Sequence, residues 1–346
     1  MFLRGLASSF PSYSFTQQEC WEGIRDSPPA ADLKPSSRSL LQKILLGNSG
    51  IERRHFCLPN PPELFSRDAG SLNVEFERNA PAIAVTALTA ALEKAEVRAI
   101  DLDAIFICTC TGYLCPGVSS HVAEQIGARP DAYLQDLVGL GCGAAIPTLR
   151  SATNFIASHP TAIVAVIAVE ICSAAFFMDD DAGVLISLCL FGDGASASIW
   201  SGSPPRDRPT YRVGNFRTAH YPLDRELIRF VNDRGKLKNK LHRSVPGLAA
   251  RAVARLHRES GEDPGHILAH PGGRDVMDAI ETELGCAPLT ESREVLREYG
   301  NLSSPSVLVA LEKHLNQPNP AERIWLTSFG AGFSCHSANL LRIDPS

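Results

Sequence analysis

Short continuous apolar runs alternate along this chain with longer stretches in which apolar residues recur every three or four positions. Ala104-Ile105-Phe106-Ile107-Cys108 is a run of the first kind, and 163–169 is another. Such runs predict strands buried on both faces. Glu170 stops the second, so it cannot span a bilayer. Leu40, Leu41, Ile44 and Leu45 fall at helical spacing, with Gly47 just beyond as a stop. An alanine-rich helix is predicted at 80–97, further helices at 119–127 and 142–157, and a strand-like stretch at 133–138.

The segment 201–209, rich in Ser, Gly and Pro, is the clearest break in composition. Beyond it the pattern resembles the first half: a helix at 246–259, a strand at His266–Ala269, helices at 274–284 and 302–315, and strands at 323–328 and 335–342. Alternating strands and helices imply parallel sheets covered on both faces. Two halves, 1–205 and 206–346, suggest a duplicated layered α/β fold.

With 346 residues, each half is long enough for its own core. A hydrophobic content of 44% with 21% charged residues is ordinary for a globular protein. The net charge of −5 argues against nucleic acid as a principal partner. No run is long enough for a membrane span, and the first residues turn polar too soon for a signal peptide. The ten cysteines are irregularly spaced. Several (Cys108, Cys110, Cys172, Cys189) sit in apolar runs and pack like small hydrophobes, which suits a reducing cytoplasm. Cys108, Cys110, Cys115 and His121 fit no common zinc pattern, so no metal is expected.

Three positions carry candidate chemistry. Cys142 lies between Gly141 and Gly143, after a strand-like stretch and before a small-residue helix. Flanking glycines permit a tight turn that exposes the sulfur, and a helix N-terminus favours its thiolate. Taken alone, it could equally be one more buried thiol. His270 ends a buried strand before Pro271-Gly272-Gly273, where sites gather in α/β folds, although a lone histidine there is often structural. Asn301 stands with Ser303 and Ser304 at a helix start, where the plain reading is an N-cap.

Gly-Cys-Gly, His-Pro-Gly-Gly and Gly-Asn-Leu-Ser-Ser, in that order, resemble the type III polyketide synthases, the chalcone and stilbene synthase family. Leu190-Phe191-Gly-Asp-Gly-Ala195, 293–300 and Ser49-Gly-Ile-Glu-Arg-Arg54 match the same family, so the resemblance covers essentially the whole chain. It implies a thiolase fold, with duplicated βαβαβαββ halves in a five-layered αβαβα arrangement, acting as a cytoplasmic homodimer. It also implies Cys142 as nucleophile and His270 and Asn301 as its partners. Phe191 matches a gatekeeper between the CoA tunnel and the cavity, and Ser303 a cavity-lining position. A second gatekeeper aromatic falls at Asn239.

The implied reaction loads an acyl-CoA starter on Cys142 and extends it with malonyl-CoA, followed by cyclisation. An imidazolium at His270 would pair with the thiolate, and His270 and Asn301 would donate hydrogen bonds to the enolate left by decarboxylation. CoA thioesters are substrates, and no cofactor is called for. Departures from the plant members are equally specific. Basic residues that hold CoA phosphates there are replaced by Leu41, Ile44 and Asn48, with only Lys43 nearby, which leaves room for an acyl carrier protein as donor. Arg53 and Arg54 have either a surface or a structural ion-pair reading. The smaller residue at Asn239 suggests a gate for longer or bulkier starters. Competing functions are a single-condensation ketoacyl synthase III-like enzyme, a cysteine acyltransferase without decarboxylation, and a non-catalytic scaffold of the same fold. A degradative thiolase would need a second cysteine in the C-terminal glycine loop, and 329–333 has none. Starter, number of extensions and ring closure are not legible.

Overall fold

The computed structural model describes residues 1–59, 61–65, 67–261 and 265–345. In chain order its strands are β1 (Phe2–Ser9), β2 (Tyr13–Thr16), β3 (Arg53–Phe56), β4 (Ala104–Cys108), β5 (Tyr133–Leu137), β6 (Ile163–Glu170), β7 (Gly194–Ser201), β8 (Thr210–His220), β9 (Ile228–Asp233), β10 (Lys236–Leu241), β11 (His266–Ala269), β12 (Arg323–Gly330) and β13 (Ser334–Ile343). Its helices are α1 (Gln17–Arg25), α2 (Pro35–Leu45), α3 (Pro61–Leu64), α4 (Ala69–Ala95), α5 (Val118–Ile126), α6 (Ala145–Ser158), α7 (Ala182–Leu190), α8 (Val245–Glu259), α9 (Arg274–Leu284), α10 (Thr290–Tyr299) and α11 (Ser306–Leu315).

One sheet carries the strand order β11-β12-β13-β8-β1-β7-β6-β4-β5. That order contains a repeat. In the first half β4 is parallel to β6, β6 antiparallel to β7, and β7 antiparallel to β1. In the second, β11 is parallel to β12, β12 antiparallel to β13, and β13 antiparallel to β8. The copies meet where β1 pairs with β8 through Phe2 and Arg212.

Alternation along each strand sorts side chains between layers. Val164, Val166 and Ala168 of β6, with Ile324 and Leu326 of β12, face a central core built on α6 and α11. Ala165, Ile167 and Val169 face α4 and α5 instead. Trp325 and Phe329 turn the other way, onto α8 and α9. The two halves of this one sheet face each other across α6 and α11, so helices, half-sheet, helices, half-sheet and helices stack in five layers, the thiolase arrangement.

Some elements depart from the sequence reading. α4 begins at Ala69 rather than near 80, because its first turns bury only Leu72 and Phe76, too sparse a stripe to read; Pro81 lies buried within it. β1 is a central strand that periodicity misses, since a bulge between Leu3 and Gly5 breaks the two-residue alternation. At Gly5 a Cβ would lie 2.4 Å from the Ala91 carbonyl oxygen, so α4 can approach β1 only over glycine. The helix predicted at 302–315 starts at Ser306, after a turn that belongs to the site. Among the described residues no helix is long and apolar enough to cross a membrane.

Candidate active site

Cys142 occupies a tight helical turn, Gly141–Gly143, between β5 and α6. Gly141 has φ +60, and a Cβ there would lie 2.9 Å from Ala331 N. From the other side the end of β12 grips the turn. A Cβ on Gly330 would sit 2.7 Å from Gly143 N and 2.8 Å from Leu140 O, while Ser328 Oγ donates to Gly143 O at 3.0 Å. The nucleophile candidate of the first half is thus held by the second. Its side chain is almost covered, with 9% exposure.

His270 extends the parallel pairing of β11 with β12, its N–H donating to Thr327 O at 2.9 Å. Its ring stands edge-on to Phe329, centroids 5.2 Å apart. Nδ1 is buried and has no hydrogen-bond partner among the described residues. Asn301 follows Gly300, where a Cβ would meet Leu190 O at 2.6 Å. Asn301 N–H donates to Leu190 O, and Gly192 N–H to Asn301 O, so a one-residue bridge ties Asn301 to Phe191. Asn301 does not cap α11. Its Nδ2 donates to Gly272 O at 3.2 Å, in the turn after His270, and its Oδ1 accepts Ser303 N–H at 2.8 Å.

Ser303 closes the circuit. Its hydroxyl donates to Cys142 Sγ at 3.3 Å and lies 3.2 Å from Cys110 Sγ. Ser303 adopts φ +59, a left-handed conformation costly for a side chain with a Cβ. The structure therefore links Cys142, Ser303, Asn301 and the His270–Gly273 turn by continuous contacts.

Glu170 is part of the same network, and sequence reading missed it. Read as the stop of an apolar run, it is in fact fully buried. Oε2 accepts from Cys110 N, Thr111 N and Thr111 Oγ1 at 2.8–3.1 Å, and from Thr109 Oγ1 at 3.2 Å. Oε1 accepts from Ser304 Oγ at 2.5 Å and from Ser303 Oγ at 3.3 Å. Its one legible signal is a carboxylate at the end of a strand with Thr and Ser donors on neighbouring segments.

The electrostatics differ from the thiolate–imidazolium pair that the resemblance implies. Burial pushes the Cys142 thiol up to about 12, and the Glu170 charge pushes it the same way against the Ser303 hydrogen bond. Burial alone pushes the His270 imidazole down to about 3. Desolvation is the largest cause of both shifts and disfavours the charged form of each group.

Beside Ser303 lies an elongated, mainly apolar cavity between α7 and the hairpin β9–β10. Phe191, Ser303 and Asn239 line it, with Phe176, Leu188 and Phe230 among their neighbours. Cys142 lies just behind Ser303 rather than in that wall. The cavity is narrow, with a volume of about 20 Å³. At Asn239 β10 packs tightly on α7, a Cβ on Gly183 lying 2.4 Å from Asn239 O.

Arg54 has neither a surface nor an ion-pair role. Fully buried, it donates to Gln17 Oε1 at 2.9 Å, Leu188 O at 2.8 Å and Phe191 O at 2.9 Å, pinning the end of α7 and with it Phe191. Leu41 is core, packed among α1, α2 and α7. Cys108, Cys110, Cys115 and His121 form no ligand cluster. Among the described residues the group with metal-ligand spacing is His266, Glu291 and His314. There His314 Nε2 accepts Ala321 N–H at 2.9 Å, which leaves the proton on Nδ1, aimed at Glu291 Oε1 at 2.7 Å. His266 Nε2 lies 3.0 Å from Glu291 Oε2. With that tautomer the cluster is a hydrogen-bonded clamp joining β11, α10 and α11.

A duplicated five-layered fold with a buried thiol where its halves meet is the architecture of acyl-transferring condensing enzymes. The comparisons narrow the class. Residues 16–254 match the model for "FAE1/Type III polyketide synthase-like protein", and 232–332 that for the C-terminal domain of chalcone and stilbene synthases. A 3,5-dihydroxyphenylacetyl-CoA synthase from Streptomyces toyocaensis is 30% identical over 96% of this chain and 88% of its own. A 1,3,6,8-tetrahydroxynaphthalene synthase from Streptomyces peucetius subsp. caesius is 28% identical over 97% of this chain and 91% of its own. The crystal structure of 1,3,6,8-tetrahydroxynaphthalene synthase from Streptomyces coelicolor A3(2) superimposes with a TM-score of 0.86 at 25% identity, covering 99% of each chain. This chain belongs to the FAE1/type III polyketide synthase-like family, and it is a condensing acyltransferase.

Proposed function

We propose that Cys142 carries the growing acyl chain of a decarboxylative condensation in which malonyl-CoA supplies the extender units and the product then cyclises. In loading, Cys142 Sγ attacks a starter thioester, its proton passes to the neutral His270 imidazole, and CoA leaves as the thiol. Malonyl-CoA then loses CO2. His270 and the Asn301 amide donate to the thioester oxygen of the resulting enolate, an oxyanion-hole role. The enolate carbon attacks the Cys142 thioester, forming the carbon–carbon bond and returning the sulfur. An amide suits this position because a carboxylate would repel both malonate and enolate.

The observation that carries the reading is the run of contacts from Cys142 through Ser303 and Asn301 to the His270 turn. Intact-protein mass spectrometry and CO2 release test it. Cys142→Ala should abolish acyl loading, and Asn301→Ala should keep loading but lose malonyl-CoA decarboxylation. Normal decarboxylation by Asn301→Ala would refute the assigned role.

The reading extends to the setting. Leu41 and Ile44 pack into the core, so α2 gives the CoA phosphates little cationic help, and loading rates from acyl-CoA and acyl carrier protein decide the donor. β5 ends the sheet and exposes Tyr133, Leu134 and Val138, which favours pairing with a second copy into a homodimer. Sedimentation of Leu134→Glu tests that, a monomer being the expected result. Ten unpaired cysteines favour a reducing cytoplasm.

A further inference from the structure

The hairpin β9–β10 stands apart from the main sheet and lies across α7. It is fastened from outside. Lys238 Nζ reaches Asp179 Oδ2 at 3.1 Å and Asp181 Oδ2 at 3.5 Å, and Lys236 sits 5.0 Å over the Phe177 ring. Gly183 lets the backbones come together, since a Cβ there would lie 2.4 Å from Asn239 O. The inner face of the hairpin is apolar at Phe230 and Leu237, and Asn239, cross-strand partner of Phe230, is the polar side chain among them.

The orientation of that amide is forced. Ser187 Oγ donates its single proton to Gly183 O at 2.7 Å, so toward Asn239 it can only accept. Asn239 Nδ2 is the donor, at 2.8 Å. The amide oxygen then points away from Ser187, and among the described residues it has no hydrogen-bond partner. An acceptor on the apolar hairpin side of a wall that elsewhere carries the Thr111, Ser187 and Ser303 hydroxyls penalises any ligand that covers it without offering a proton. A purely aliphatic or unsubstituted aromatic acyl group would do so. A hydroxyl group, alcoholic, phenolic or enolic, would satisfy it.

We propose that Asn239 is a specificity-determining residue whose side-chain oxygen accepts a hydrogen bond from a hydroxyl on the acyl chain held by Cys142. The proposal deepens, and rests on, the condensing function given above. It replaces a size rule at this position with a polarity rule: the hairpin is strapped too closely for a small residue to widen the cavity, and what the residue changes is what the wall can pair with.

The experiment uses the full-length enzyme with matched pairs of acyl-CoA and ω-hydroxyacyl-CoA of four to ten carbons, so that the preferred distance from the sulfur emerges from the series. Condensation kcat/KM with malonyl-CoA is measured for the wild type, Asn239→Leu and Lys238→Ala, and thermal unfolding confirms that each variant is folded. At one or more lengths the wild type should favour the hydroxy member by roughly tenfold. Asn239→Leu should erase that preference. Lys238→Ala loosens the strap but keeps the amide, so it should change both members of a pair by the same factor. A wild type without preference at any length, an Asn239→Leu variant that keeps it, or a Lys238→Ala variant that loses it would each overturn the proposal. Failure of the functional reading looks different: no thioester would acylate Cys142 at all.

Discussion

The Ser303 hydroxyl lies 3.3 Å from Cys142 Sγ, and the same oxygen lies 3.3 Å from Glu170 Oε1. One proton therefore serves two acceptors, the Cys142 sulfur and a Glu170 carboxyl oxygen. Removing the hydroxyl should withdraw support from the thiolate. Ser303→Ala is expected to slow acyl loading and iodoacetamide alkylation of Cys142 roughly tenfold, the equivalent of one hydrogen bond of about 1.4 kcal/mol. Ser303→Gly should slow both equally yet unfold at a higher temperature than Ser303→Ala, because glycine accepts φ +59 without strain.

Glu170 acts on the sulfur in the opposite sense. Its charge disfavours the thiolate, so Glu170→Gln should lower the Cys142 pKa and make alkylation at pH 8 faster. The same change should cost stability. Oε2 accepts two backbone N–H groups and two hydroxyls, a place an amide oxygen can take only by turning its NH2 toward the Ser303 and Ser304 hydroxyls, which then lose their acceptor at Oε1. A loss of about 1–3 kcal/mol in urea unfolding is expected. Faster alkylation with lower stability is the signature; slower alkylation would refute the sign.

Acid should destabilise the fold through its buried imidazoles. His270 and His336 are pushed by burial down to about 3 and about 4, below the unfolded value near 6.5. Between those limits the unfolded chain binds protons that the folded one refuses. Stability is complete above pH 6.5 and falls as pH drops, by about 1.4 kcal/mol per pH unit for each histidine. Asp193 opposes this, since burial raises its carboxyl to about 6 and the folded state takes up a proton as pH falls through that value. Unfolding free energies at pH 7 and 5.5 should therefore differ, and His270→Gln should flatten the dependence by about one proton. A steeper dependence in His270→Gln would mean that the folded enzyme already holds His270 charged.

The end of β12 packs directly on the turn that carries Cys142. Gly330→Ala would place a methyl 2.7 Å from Gly143 N and 2.8 Å from Leu140 O, both backbone atoms that cannot step aside cheaply. A loss of about 1–3 kcal/mol is expected, and acyl loading should fall more than thermal stability does, because the displaced group is the turn that carries Cys142. Loading at the wild-type rate would show that the turn yields without consequence.

Much of this was readable in the sequence, for local reasons. Cys142, His270 and Asn301 stand beside glycines whose spacing announces sharp turns, and the buried strands announce themselves by composition. What escaped depends on distant segments. Glu170 reads as a boundary because its donors at Thr109, Thr111 and Ser304 lie far away in the chain. Arg54 reads as a surface or ion-paired cation because two of its partners are the backbone carbonyls of Leu188 and Phe191, which leave no mark on side-chain pattern, and the third, Gln17, lies far away in the chain. α10 escaped for want of apolar residues: Glu291 and Ser292, half of its buried positions, are polar and satisfied by β11 and α11. The surroundings of Asn239 depend on the approach of β10 to α7 at Gly183, a contact between distant segments that leaves no mark on local pattern.

The repeated strand order gives the two central helices equivalent places, and each is entered through a turn with its own task. The turn before α6 presents the sulfur, and the turn before α11 presents the amide and the hydroxyl. A ligand held there would lie between the two repeats and touch both at once. An acyl group on Cys142 would thus serve as a rivet, joining two halves that otherwise rely on their shared sheet and core to stay in step.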